Sequence, residues 1–183
     1  MKGRFRRLRK IDFIAVLMLA GILAILTSYI ERSDSRIAFM ASFFFTSAFA
    51  AFTSLLIRRA GAALLFYLAW GIMTINSGNL GSSGLYRMVI LIVSGIVFEL
   101  TFAILEMEIR NIPLGIIIGA ALSNFSMPFS MLLLIKSTNG LMPFVLNFAV
   151  TSLIIGVMGS VSSFLVWYNL KGLKPIIKFE YSS

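Results

Sequence analysis

One carboxylate in this chain sits inside an apolar run. In Ser94-Gly-Ile-Val-Phe-Glu-Leu-Thr-Phe-Ala-Ile-Leu105, Glu99 is flanked on both sides by hydrocarbon side chains. The other acidic residues, Asp12, Glu31, Asp34, Glu106, Glu108 and Glu180, fall at the edges of apolar runs or between them. There is no cysteine and no histidine. That excludes disulfides and thiolate nucleophiles, and removes the commonest general base and metal ligand. A lone Glu does not easily serve as both acid and base. We therefore expect no enzyme, no metal site and no cofactor.

A charged side chain at mid-membrane costs roughly 2.5–3.5 kcal/mol on the insertion scale, so it usually faces the bundle interior or a water-filled cavity. Glu99 is expected to meet either a ligand donor or polar neighbours such as Asn124 and Asn147; the alternative is a hydrogen bond between helices. It lies twelve residues after Arg87, about 18 Å along a helix at 1.5 Å per residue. In "LSNFSMPFS", Pro128 follows Ser123, Asn124 and Ser126. A kink there would give a polar wall; alternatively, these side chains bond the backbone that the proline frees. The segment "NSGNLGSSGLYR" is polar and glycine-rich, and supplies Asn76, Asn79 and Tyr86. Tyr67 and Trp70 precede it and could cover a flat ring.

The elements that must hold these groups are membrane helices. Of 183 residues, 59% are hydrophobic and 13% charged, and the mean hydropathy is +0.97. A soluble domain carries about 25% charged residues. Apolar runs read as spans fall at Phe13–Ile30, Ile37–Ile57, Ala60–Ile75, Met88–Leu105, Ile112–Ile135 and Leu141–Leu170, the third of them short. The expected fold is an all-α bundle of six transmembrane helices over residues 13–170. A basic arm (1–12) precedes it and a short tail (171–183) follows.

The net charge is +9. Its distribution points to topology rather than to nucleic acid. Twelve of the sixteen Lys and Arg residues fall on the side of the two termini, which places both termini in the cytoplasm by the positive-inside rule. "MKGRFRRLRK" before an apolar run also looks like a signal peptide, but no small-residue cleavage site follows it. The arm is read as a topology anchor, with anionic lipid as a further partner.

Small residues allow close helix contacts in lipid. The first span has Ala20-Gly21-Ile-Leu-Ala24, the fifth has Gly115, Gly119 and Ser123, and the sixth has Gly156, Gly159, Ser160 and Ser163. For the last two spans, packing within the bundle is expected. For the first, that and docking onto a separate membrane partner both stand.

Together these features resemble the substrate-binding S component of an energy-coupling factor (ECF) transporter. The stretch "LGSSGLYRMVILIVSGIVFELTFAIL" is similar to the type assigned to hydroxymethylpyrimidine or thiamine, with Gly95-Ile-Val-Phe-Glu99 as a G-x-x-x-E core. The resemblance implies capture of a vitamin or its precursor from outside, with Glu99 touching its ring or cation. It also implies docking through Ala20 and Ala24 onto a transmembrane coupling subunit driven by two ATPases. Competing readings are a proton-coupled small-solute transporter using Glu99, and a purely structural subunit.

Overall fold

The computed structural model describes residues 8–30, 32–33, 35–76, 84–105, 108–109, 112–134 and 142–173. Six helices follow in order: α1 (Lys10–Ile30), α2 (Arg36–Ile57), α3 (Ala62–Met73), α4 (Leu85–Ile104), α5 (Leu114–Leu134) and α6 (Met142–Leu170). Between α4 and α5, a two-residue strand β1 (Glu108–Ile109) pairs antiparallel with β2 (Ile112–Pro113). Hydropathy did not signal this pair.

Five helices are long and apolar enough to cross a bilayer; α3 is not. With 12 residues it reaches about 18 Å, short of the roughly 30 Å hydrocarbon core. The expected third span, Ala60–Ile75, is thus cut at both ends. Gly61 takes φ 89° before α3, which a residue with a Cβ rarely adopts. At the far end Thr74 turns its hydroxyl back onto the Trp70 carbonyl (2.7 Å).

The helices alternate in direction. Arg59, in the α2–α3 turn, reaches Asp12 near the start of α1 (3.4 Å). Arg58 lies over Trp167 near the end of α6, and Leu105 meets the start of α5 at Gly115. All these groups belong to one end of the bundle, here called the basic end. The opposite end carries the α3–α4 connection, where the Gly84 N–H donates to the Ile75 carbonyl (2.8 Å).

α2 packs against α1, α3, α5 and α6, while α4 joins α3 to α5. The close contacts run through small residues, as expected where lipid gives helices no hydrophobic reason to associate. Gly156 sits on Ala120 and Ala121 of α5, and Gly159 on Phe44, Ser47 and Ala48 of α2. Gly119 meets the Phe98 carbonyl, and Gly95 meets Leu64 and Tyr67. The Ser163 hydroxyl donates to the Ala48 carbonyl. The internal-packing expectation for α5 and α6 is met. Large aromatics, Phe43, Phe66, Tyr67, Trp70 and Phe98, fill the interior, whereas α1 and α6 turn apolar side chains such as Leu17, Met18, Ile154 and Leu165 outward.

Candidate functional site

Glu99 has a partner on the neighbouring helix. Its Oε1 accepts the backbone N–H of Ala63 (2.8 Å) and of Leu64 (3.4 Å). These are the second and third residues of α3, whose N-cap, Gly61, has no side chain to offer. The first N–H groups of any helix lack intrahelical acceptors, and the helix dipole favours a negative charge there. α4 supplies that charge from outside the element. The carboxylate that looked costly in sequence is a cap delivered across a helix interface. It lies towards the basic end, away from the α3–α4 connection, so it does not meet Asn124 or Asn147.

Pro128 leaves α5 a continuous helix. The carbonyl it frees, four residues back at Asn124, accepts the Ser152 hydroxyl from α6 (3.1 Å). The Asn124 amide crosses to the Phe43 carbonyl of α2 (3.0 Å). The donor for the freed carbonyl thus comes from α6 and not from the Ser and Asn side chains of α5 itself. Ser126 donates to the Ser123 carbonyl (2.7 Å) and approaches the Ser94 hydroxyl of α4 (3.3 Å).

Tyr67 and Trp70 lie one turn apart on α3, both buried. The Tyr67 hydroxyl pairs with Ser123 Oγ (2.9 Å). The Trp70 ring faces the Arg87 guanidinium, whose Cζ is 5.3 Å from the ring centroid. Arg87 is 0% exposed and Trp70 1%. A desolvated cation over an indole gains about 2 kcal/mol, which offsets part of the cost of burying it. Trp70 Nε1 finds no hydrogen-bond acceptor among the described residues, and neither does Asn124 Oδ1 find a donor. Leaving a buried donor unsatisfied costs about 1–3 kcal/mol. In sequence Arg87 was only a boundary charge. Its position two residues into the stretch that starts at Leu85 was the available signal.

The other expected site residues are dispersed. Asn76 is exposed beyond α3, and Tyr86 is exposed in the first turn of α4. Asn147 is exposed on α6, where its carbonyl accepts the Thr151 hydroxyl (2.9 Å); its side chain does not enter the bundle. Asn79 lies outside the described residues, as do most of the basic arm and of the tail. Ala20 and Ala24 are buried inside the bundle, and Gly21 is near Met73 of α3. Outward, α1 presents Ile14, Leu17, Met18, Ile22 and Ile25.

Asp12 was overlooked, because it stands at the edge of an apolar run. It is fully buried, accepts the Arg9 backbone N–H (2.8 Å) and pairs with both Arg9 and Arg59 (3.4 Å each). Asp12 and Glu99 thus hold the two sides of the α2–α3 turn. Set against family models, curated proteins and solved structures, the chain matches none.

Proposed function

We propose that this chain is a non-catalytic, solute-binding membrane subunit of the energy-coupling factor kind. It captures a vitamin-sized ligand at the end opposite its basic residues and works with a transmembrane coupling subunit and two ATPases. The observation that carries this reading is the indole N–H of Trp70: buried, unsatisfied, beside a buried cation, at the end of the bundle that the charge distribution assigns to the outside. Intramembrane ionisable residues are functional candidates by default, and a buried donor without an acceptor is repaid when a ligand supplies one. A ring nitrogen of a pyrimidine, as in hydroxymethylpyrimidine or thiamine, accepts such a donor, and its flat face suits Tyr67 and Trp70. Glu99 acts in this reading as the cap that sets α3, which carries both aromatics.

Placing both termini in the cytoplasm is supported by the charge count and by contacts of Asp12 and Trp167 with one turn, Arg58–Arg59. The test is native mass spectrometry of the purified chain, followed by titration of thiamine and hydroxymethylpyrimidine against Trp70 emission in Trp167→Phe. A retained small molecule, lost in Trp70→Phe and kept in Glu99→Gln, is expected. No retained mass and no fluorescence response to either compound would refute the proposal.

A further inference from the structure

The last turns of α2 and α6 bring two cations onto one indole. Arg58 follows α2 with φ 51°, a left-handed conformation uncommon for residues other than glycine. Its guanidinium lies 4.7 Å from the Trp167 ring centroid. Lys171, just past α6, holds its ammonium 5.6 Å from the same centroid and 3.8 Å from that of Tyr168. The two charges are therefore no more than about 10 Å apart. Trp167 is packed in while Tyr168 is exposed, so the pair presents one anchored and one accessible aromatic face. The cluster closes the ends of two helices long enough to span the bilayer, where Trp and Tyr side chains suit the headgroup layer.

We propose that Arg58, Lys171, Trp167 and Tyr168 form a site for the phosphate of an anionic phospholipid. A phosphodiester within reach of the two cations accepts charge-assisted hydrogen bonds from both. The exposed Tyr168 ring packs beside the glycerol and upper acyl chain, as interfacial aromatics do. Basic pockets between membrane helices on the cytoplasmic side are suited to such headgroups. The site stands independently of the solute proposed for Trp70.

Trp70 and Trp167 are the two tryptophans of the chain, so Trp70→Phe leaves Trp167 as the reporter. That variant is reconstituted in phosphatidylcholine vesicles containing phosphatidylglycerol. The brominated acyl chains are placed either on phosphatidylglycerol or, at equal bromine content, on phosphatidylcholine. Stronger quenching by brominated phosphatidylglycerol is expected, corresponding to local enrichment on the order of thirtyfold from two basic residues. The preference should vanish when Arg58→Gln and Lys171→Gln are combined, and survive Arg58→Lys. Equal quenching by both lipids, a preference that persists in the double Gln variant, or its loss in Arg58→Lys would each overturn the proposal. If inorganic phosphate at constant ionic strength abolishes the preference, the ligand is soluble phosphate and the lipid assignment fails.

Discussion

Replacing Glu99 separates a cap from a ligand contact. Glu99→Ala removes the acceptor for two backbone donors at the start of α3, of which the Ala63 N–H makes the short bond of 2.8 Å and the Leu64 N–H the longer one of 3.4 Å. A hydrogen bond to a charged group contributes about 1.5–3 kcal/mol, and loss of a helix cap costs about 1 kcal/mol. These overlap, since the cap is that hydrogen bond. Ala63 is fully buried, so water does not easily replace the acceptor. We therefore expect Glu99→Ala to cost about 2–3 kcal/mol. Glu99→Gln keeps an amide oxygen in the same place and loses only the charge, which with the dipole contributes about 1 kcal/mol. The assay is unfolding in mixed micelles with increasing dodecyl sulfate, followed by far-UV circular dichroism. Trp70 emission in Trp167→Phe reports separately on the position of α3. Glu99→Ala should red-shift that emission, and Glu99→Gln should leave it unchanged. Equal destabilisation by Ala and Gln, or a cost for Ala within the roughly 0.5 kcal/mol of an ordinary surface change, would refute the capping argument.

Three further outcomes are expected. Ser152→Ala should cost about 1 kcal/mol by leaving the Asn124 carbonyl short of a donor, and distinctly less in Pro128→Ala, where the restored backbone N–H takes over; an additive double-mutant cycle would contradict this coupling. Gly159→Ala should cost about 1–3 kcal/mol, because a Cβ there runs into Ser47 and the Phe44 carbonyl of α2. Gly21→Ala, with Met73 Sδ its nearest neighbour at 3.8 Å, should be tolerated, and the same unfolding titration compares the two. Asp12→Asn should destabilise by about 3 kcal/mol, since it leaves Arg59 without the carboxylate of a buried pair; a mid-point unchanged from the parent chain would show that the pair contributes nothing.

Particular residues show how much of this was legible beforehand. The limits of α1, α2 and α6 fall within a few residues of the apolar runs that announced them, because hydropathy and helix length are set by the local chain and the bilayer. The small-residue stripes of α5 and α6 were read correctly as contact faces, since a missing side chain at helical spacing permits only close approach. The same reasoning left Ala20 and Ala24 undecided between two partners, and the structure turns them inward. Asn147 and Asn124 looked alike in sequence, yet one is exposed on α6 and the other bonds to α2. No local signal separates them: the rotation of a helix about its axis is decided by its neighbours.

Sequence alone determined that the chain is a set of long apolar helices, and where most of them begin and end. Each follows from the composition of a contiguous stretch weighed against one solvent. The tertiary structure alone decided what the polar groups do. The N–H groups that hold Glu99 lie 35 and 36 positions away in sequence, and Arg59, which holds Asp12, lies on a different turn of the chain. The cost of a buried charge is a local quantity, whereas its compensation requires a complementary group brought in by packing. The apolar run around Glu99 could therefore state the cost but not name the partner.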